Sequence, residues 1–437
     1  MKKRISVIKE LRSFLLLWGS QTVSALGTAM TNYALIIWAY EREGTASSLT
    51  TLTICSFLPT ILFRFVGGTL ADGWNKKRIM LVSDLAAACG TAAVFALYAG
   101  SALRVWHLYV INALLSLMDS LQAPAAFVAT SLLVPKEEYS RVSGLQGFSR
   151  SIVSILAPAL GSALLAFGGM TAVLACDLVS FAIAFFVLLF LIRIPERKPE
   201  KAKRREPFLR SCSEGIGWLW SHGALLRLTL FLTAVNFLAK LGNDGMLSPF
   251  VLARTGNDRQ ALGMVQSAVA LGLLAGSLIM TVSKPGKKKT RVIFASTALV
   301  FVGNVVQSLS LRPWVWSAAA FGSYLLAAVM NVSLTTLMRE QVPIVMQGRV
   351  FSAQDTLKNG AIPLGLFLGG ALADHVFEPF MAADSPLQRL FIHFFGAESG
   401  AGIAAMFFCV GTLGAIMSLC QLKKPIYSGL DIDQTTR

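Results

Sequence analysis

Apolar runs of roughly 20 residues, each with few charges, recur along the 437-residue chain. A helix of that length crosses a hydrocarbon core of about 30 Å, because each residue adds about 1.5 Å. The pattern therefore predicts an all-α integral membrane protein with twelve transmembrane helices. The predicted spans begin near Ser13, Ser48, Ile79, Val105, Val142, Thr171, Leu225, Ala261, Val292, Trp314, Phe351 and Gly400.

A basic gap divides these spans into two sets of six. Prolines and clustered charge between residues 193 and 210 rule out a buried span and favour a solvated linker. We predict a six-helix bundle over 1–194, a cytoplasmic basic linker over 195–222, a second six-helix bundle over 223–423 and a cytoplasmic tail over 424–437. Aromatic and aliphatic residues beside Arg210 and Glu214 predict that the end of the linker, 208–220, forms a helix at the membrane interface.

An internal repeat indicates that the two bundles are pseudo-symmetric. At an offset of 208 residues, one unbroken register relates the fourth-to-fifth loop to the tenth-to-eleventh loop. The matched pairs include Val134 with Val342, Pro135 with Pro343, Arg141 with Arg349, Gln146 with Gln354, Gly161 with Gly369, and Gly68 with Gly276. Parallel repeats of six spans are a known plan of transporters. Asp72 is matched by Met280, so only the first half carries an acidic residue in this loop.

Composition and charge agree with a membrane protein. The chain is 54% hydrophobic and only 14% charged, against about 25% charged in typical soluble domains. Lys and Arg favour cytoplasmic loops, and alternating loops place every lysine except Lys240 on that side, with both termini cytoplasmic. The net charge of +16 then follows from topology and from attraction to anionic inner-leaflet lipid, about 1 kcal/mol per surface cation. No nucleic acid partner is expected.

The loop GGTLADGWNKKR, residues 67–78, combines glycines, an acid and three cations at the end of a span. Gly67 and Gly68 allow a neighbouring helix to approach closely. Asp72 can accept hydrogen bonds from a helix N-terminus, where the macrodipole stabilises an anion by about 0.3–1 kcal/mol. A simpler interpretation is that Asp72 caps a helix locally and that the lysines only set the topology.

This loop resembles that of the major facilitator superfamily, which reads Gly-x-Leu-Ala-Asp-Arg-x-Gly-Arg-Lys-Arg. The matching residues are Gly68, Leu70, Ala71, Asp72, Lys76, Lys77 and Arg78. Gly73 replaces the usual Arg, so the loop lacks one cation of the family's ion-pair network. Asn75 replaces a glycine, and we expect it to keep the turn because Asn tolerates a left-handed backbone. The resemblance covers essentially the whole chain, and the run LLVPKEEYSRVSGLQ from Leu132 looks most like the macrolide-efflux branch.

The resemblance implies that the loop contacts the eleventh span and holds the cytoplasmic side shut until the transporter opens. It also implies that the repeat-related cations Arg141 and Arg349 form similar ion pairs. In the fifth span, antiporters of this superfamily carry G-x8-G-x3-GP-x2-GG, which Gly144, Pro158 and Gly161 match in part. This favours export; the alternative is that these are ordinary packing residues of a bent membrane helix.

Charged residues inside spans are costly to insert and are therefore functional candidates. Arg64 and Asp119 are expected at similar depth in spans two and four. Lys240 and Asp244, four residues apart, share one face of span seven with Asn236. Asp244 is the first choice for the acid that exchanges protons, because the glycine-rich outer part of its helix can change geometry. In span one, Gln21, Ser24, Thr28 and Asn32 form a polar stripe that should face a central cavity. Each ion pair can instead simply hold helices together.

The remaining polar residues and motifs suggest no other function. Asp84 and Asp177 are expected to be structural, and Asp374 and His375 to lie in a loop. No nucleophile elbow, zinc-protease or phosphate-binding motif occurs, so we expect neither an enzyme nor a cofactor or metal.

We therefore expect a monomeric secondary transporter in the plasma membrane. It would export small amphipathic compounds in exchange for protons by rocking its two halves. The alternatives left open are a lipid or lysolipid translocator and a non-transporting membrane sensor.

Overall fold

The computed structural model describes residues 11–43, 55, 59–60, 62–64, 67–70, 74–195, 208–256, 258–283, 288–383, 386–396 and 398–431. Within these ranges the regular structure is helical and no strand occurs. The helices are α1 Arg12–Glu43, α2 Lys76–Ala99, α3 Val105–Leu133, α4 Tyr139–Phe186, α5 Phe208–Ser221, α6 Gly223–Leu241, α7 Asn243–Arg254, α8 Arg259–Val282, α9 Lys289–Ser308, α10 Pro313–Gln341, α11 Gln347–Gly360, α12 Ile362–Leu372, α13 Glu378–Ala382, α14 Pro386–Phe395 and α15 Ala401–Leu422.

In the described part of the chain, nine helical segments are long and apolar enough to cross a membrane. One of them, Lys136–Leu191, has 56 residues and is divided at Gly169, whose φ of 67° suits glycine. The predicted fifth and sixth spans meet at this point. Helix α1 supplies the first span with 32 residues, and the described pieces of the second span, 59–60, 62–64 and 67–70, are helical.

Contacts between residues divide the chain into two compact units. Unit 1 consists of Met1–Tyr139, Ile152–Ser221 and Val342–Thr356, and unit 2 of Ser140–Ser151, His222–Gln341 and Leu357–Arg437. The first turns of the fifth span thus belong to unit 2, although the rest of that span belongs to unit 1. The first turns of the eleventh span belong to unit 1, although the rest of that span belongs to unit 2. The domain boundaries drawn from the sequence stay a prediction.

Two helices are interrupted inside predicted spans. Helix α6 ends at Leu241 and α7 begins at Asn243, with Gly242 at φ −103° and ψ −103° between them. This is the part of span seven where Gly242, Gly245 and Pro249 weaken the helix. Span eleven is also divided, because α11 ends at Gly360 and α12 begins at Ile362.

The outer end of span eleven differs from the sequence prediction. Asp374 and His375 were expected in a loop, but they lie in a π-helical turn, Ala373–Phe377, which continues α12 into α13. Both side chains are exposed. The short helix α14 follows, and its aromatic residues pack against Phe380 and Phe408. The prediction that this segment is a loop was wrong because the helix continues past the apolar part of the span.

The C-terminal segment is packed within unit 2. A 3-10 helix, Pro425–Asp431, places Tyr427 against Phe294 with ring centroids 4.8 Å apart. The Asp431 carboxylate accepts a 3.0 Å hydrogen bond from the backbone N–H of Thr290, in the first turn of α9. The buried amide of Gln341 donates to the Leu430 carbonyl at 2.8 Å. The first half of the predicted tail is therefore a structural part of this unit.

Candidate functional site

Three charged residues form a cluster within unit 1. Arg64 lies in the described part of span two, and its Nη2 is 3.4 Å from Oδ2 of Asp355 in α11. Asp119 of α3 is close enough for its charge to interact with that of Arg64. Both side chains of the ion pair are partly exposed, at 22% and 32%. A charged side chain inside a membrane span is costly to insert and marks a functional candidate, so this cluster is the leading candidate site.

Asp355 was not among the residues singled out from the sequence. It lies four residues beyond the predicted start of span eleven, and Lys358 follows one helical turn later in α11. Asp355 and Lys358 are charged residues inside a predicted span, and this is the property for which Arg64 and Asp119 were chosen as candidates. The sequence therefore contained the signal, but not the information that Asp355 contacts Arg64.

Two buried acids connect span one to the rest of unit 1. Asp84 of α2 is 4% exposed. Its carboxylate accepts hydrogen bonds from the Gln21 amide at 3.1 Å and from the Gln122 amide at 2.6 Å. Because Gln21 belongs to α1 and Gln122 to α3, Asp84 links three helices. Gln21 was predicted to face a central cavity, and its role in substrate binding stays a prediction.

Asp177 of α4 forms a second network. It is fully buried and accepts hydrogen bonds from Thr28 at 3.2 Å and from Thr91 at 3.1 Å. Thr28 thus contacts an acid of its own unit. Asn32, one turn further along α1, is exposed. The stripe predicted from Gln21, Thr28 and Asn32 is therefore split between buried contacts and an exposed end.

Gly68 lies in a close contact with α11. A β-carbon built at Gly68 would lie 2.6 Å from Cβ of Ser352, and it would also clash with the Gly348 carbonyl oxygen. Gly67 packs as closely against the backbone of Ser120 in α3. Asp72, the acid predicted to strengthen the contact with span eleven, lies outside the described residues. Its gating role stays a prediction.

The cations that follow this loop have different environments. Lys77 donates hydrogen bonds from Nζ to the carbonyls of Leu189 and Ile192, both at 2.8 Å, at the end of the sixth span. Lys76 is half-buried, and Arg78 is exposed. Asn75 does not have the left-handed backbone that we expected. At φ −64° and ψ 112° it is extended, and its side chain accepts a hydrogen bond from the Arg78 N–H at 2.8 Å, capping α2.

Arg349 and Arg141 occupy repeat-related positions near the starts of α11 and α4. Arg349 forms an ion pair with Glu214 of helix α5. A β-carbon on the neighbouring Gly215 would lie 2.7 Å from the carbonyl carbon of Arg349, so α5 packs directly on α11. Arg141 is half-buried in the first turn of α4. Whether these cations take part in gating stays a prediction.

Small residues of the fifth span lie at close helix contacts. A β-carbon at Gly144 would lie 2.7 Å from the backbone nitrogen of Thr281 in α8. One at Gly161 would lie 3.3 Å from the Met30 carbonyl oxygen in α1. Pro158 lies inside α4 and is exposed.

The repeat partner of Gly161 has an equivalent contact. A β-carbon at Gly369 of α12 would lie 3.1 Å from the carbonyl carbon of Leu241 in α6. The fifth span thus packs on the first in unit 1, and the eleventh packs on the seventh in unit 2.

The polar residues of span seven contact span eleven within unit 2. The Asn236 amide donates to the Lys358 carbonyl at 3.0 Å. Lys240 is half-buried near the end of α6, and its Cβ lies 3.1 Å from where a β-carbon of Gly365 would stand. Asp244 belongs to α7, but its side chain lies outside what the structure describes. The predicted Lys240–Asp244 pair therefore stays a prediction.

Comparisons with known proteins find one family model, several relatives and a similar fold. The model described as "Major Facilitator Superfamily" matches residues 17–366. Macrolide efflux protein A of Streptococcus pyogenes is 26% identical over 373 residues, which cover 83% of this chain and 90% of that protein. Multidrug efflux pump Tap of Mycobacterium bovis is 24% identical over 377 residues, covering 83% and 87%. A solved bacterial homologue of the iron transporter ferroportin matches with a TM-score of 0.68 at 14% identity, covering 94% of this chain and 99% of that one.

Proposed function

The chain belongs to the major facilitator superfamily, and on that premise we propose that it exports small amphipathic compounds of the macrolide or drug type in exchange for protons. The all-α membrane fold of that superfamily, expected from the sequence, is confirmed by the family match and by the likeness to solved transporters. The relatives named for macrolide efflux and multidrug efflux support the substrate class and the direction of transport.

The observation that carries the coupling proposal is the cluster of Arg64, Asp119 and Asp355. A carboxylate beside a cation stays ionised, whereas a carboxylate that loses its cation in an apolar environment takes up a proton. One cation shared between two acids can neutralise only one of them well at a time. Movement of α11 relative to span two would therefore load a proton on one acid and release it from another during each cycle. The Lys240–Asp244 pair is a second candidate for this role.

We place the cytoplasmic gate at the contact between Gly68 and α11. Close backbone packing holds α11 against span two, and the Arg349–Glu214 ion pair holds α5 against the start of α11. Asp72, Lys76, Lys77, Arg78 and Arg141 complete the proposed gate. Breaking the Gly68 contact would open the cytoplasmic side as the two halves rock, and remaking it would close that side while substrate leaves outward.

The experiment that tests this function uses the purified protein in lipid vesicles with an imposed pH gradient. Uptake and efflux of a panel of macrolides, cationic dyes and fluorescent lysolipids are followed over time. We expect macrolides or dyes to move against their gradient only when the pH gradient is present. Transport of lysolipid alone would favour a lipid translocator. No transport of any compound by folded protein would favour a membrane sensor.

The cellular setting proposed with this function is the plasma membrane, with both termini and the basic linker on the cytoplasmic side. A monomer is sufficient, because the proposed gate and charge cluster come from one chain. Lipid is a partner through the basic cytoplasmic surface and helix α5, whose Ile216 and Trp220 are exposed.

A further inference from the structure

A groove of about 500 Å³ opens on unit 1 where α2 begins, and Arg78 is the one lining residue that it shares with the proposed gate. Apolar side chains of Leu70, Ile79, Val82 and Leu121 line most of it. Trp74 and Val82 at its edge are each 62% exposed. The volume lies within the range of roughly 300–1,000 Å³ that is usual for small-ligand sites.

One end of the groove is cationic. Arg78, the third residue of α2, lines it together with Asn75. The adjacent Lys77 is already bonded to two carbonyls at the end of the sixth span. Among the described residues, no acidic side chain forms an ion pair with Arg78, which is exposed. An Arg guanidinium binds a phosphate group through two parallel N–H···O bonds.

The order of these residues along α2 matches the layers of a membrane. Trp74 lies two residues before α2 and Arg78 lies in its first turn, whereas Ile79 and Val82 follow towards its apolar interior. Trp residues concentrate at the level of lipid headgroups. The distribution of lysines predicts that this end of α2 faces the cytoplasm, so the cationic end lies at the headgroups of the inner leaflet.

From these observations we infer that the groove binds an anionic phospholipid of the inner leaflet, with its phosphate on Arg78 and an acyl chain against Val82 and Leu121. Charge complementarity separates this ligand from a cationic drug, which would fit the apolar walls but face Arg78 with a like charge. The lipid is bound and not transported, so the inference does not depend on the substrate. Leu70 connects the site to the gate, because it follows the closely packed Gly68 by two residues.

The test uses the full-length protein in nanodiscs of phosphatidylcholine containing a small fraction of bromine-labelled phosphatidylglycerol or bromine-labelled phosphatidylcholine. Bromine quenches the fluorescence of nearby tryptophans. The difference in quenching between the wild type and Trp74→Phe measures lipid bound in the groove. We expect the labelled phosphatidylglycerol to bind roughly tenfold more tightly, as one charge-assisted contact allows. Arg78→Gln should remove this preference. Arg291→Gln is the matched control, because Arg291 is also the exposed third residue of a helix, α9, and should keep it.

Equal quenching of Trp74 by the two lipids would overturn the inference, as would an unchanged preference in Arg78→Gln. If Arg78→Gln does not fold, Val82→Glu tests the same point at an exposed position, because a carboxylate in the groove wall should repel the anionic lipid. Relief of the quenching by a cationic macrolide at concentrations that saturate transport would instead identify the groove as a drug site, and would also overturn the inference.

Discussion

Single residues decide which polar groups of this protein are fixed and which can change partners. Asp84 and Asp177 are buried and accept hydrogen bonds only from neutral side chains in the contacts described above. Asp355 is partly exposed and pairs with Arg64. The first two acids suit a fixed framework for unit 1. Asp355 and Asp119 suit a site where charge changes during a cycle, because their shared cation can serve either acid.

Gly68→Ala should impair the gate without unfolding the protein. The added methyl group would clash with Gly348 and Ser352, and overpacking of this kind costs roughly 1–3 kcal/mol. If the strain falls on the state with the cytoplasmic side closed, the population of that state drops by roughly 5- to 150-fold, and turnover should fall. The control is Gly322→Ala in α10, where a β-carbon meets no atom within 4 Å.

Transport rates per folded molecule, measured in vesicles, distinguish the two variants. Gly322→Ala should transport at the wild-type rate. A wild-type rate in Gly68→Ala would mean that the close contact with α11 is not part of the gate.

At the scale of elements, contacts outside the membrane spans stabilise the ends of three helices, α11, α2 and α9. Helix α5 packs on the start of α11 through Glu214 and Gly215. Asn75 caps α2. Asp431 of the C-terminal 3-10 helix caps the start of α9 by accepting a hydrogen bond from Thr290. Lys288, the N-cap residue of α9, makes no capping hydrogen bond with its own side chain.

Reversing the charges of α5 and α11 tests the first of these contacts. Glu214→Arg and Arg349→Glu each place like charges together, so we expect each to slow transport. The double substitution restores an opposite-charge pair and should recover much of the rate. The interaction energy from the double-mutant cycle should be roughly 0.5–3 kcal/mol. A double variant as slow as either single one would show that the ion pair itself has no role.

Removal of residues 425–437 should destabilise unit 2. The buried Gln341 amide would lose its acceptor, at a cost of about 1–3 kcal/mol, and α9 would lose a cap worth about 0.5–2 kcal/mol. Truncation after Asp431 is the control and should leave the thermal unfolding temperature in detergent unchanged. Equal unfolding temperatures for both truncations would contradict the structural role of this segment.

The sequence predicted the spans well because each needs a long apolar run, which is a local property. It also located the break between spans five and six, next to Gly169, because polar and small residues mark that turn. It did not predict α14 or the break at Gly360, although Gly360 and Pro363 together mark an interrupted helix. Partners such as Asp355 for Arg64, or Asp84 for Gln21, depend on helix packing between distant parts of the chain, which periodicity does not encode.

At the scale of the whole molecule, the prediction that can be tested first is topology. In a variant whose other five cysteines are serine, Cys212 should react with an impermeant thiol reagent in inside-out vesicles but not in intact cells, because lysine-rich segments stay cytoplasmic. An Arg312→Cys variant in a cysteine-free background is the control and should react from outside. Labelling of Cys212 in intact cells would show that the predicted orientation is wrong.

The central claim is that proton exchange at the Arg64 cluster drives export, and Asp→Asn variants in vesicles test it most directly. For each of Asp355→Asn, Asp119→Asn and Asp244→Asn, macrolide transport driven by a pH gradient is compared with macrolide exchange at equal pH, and Asp374→Asn at an exposed outer position serves as the control. We predict that Asp355→Asn or Asp119→Asn abolishes transport driven by the gradient and retains exchange, while Asp374→Asn keeps both. Full gradient-driven transport in both Asp355→Asn and Asp119→Asn would contradict the claim and leave the cluster with a structural role.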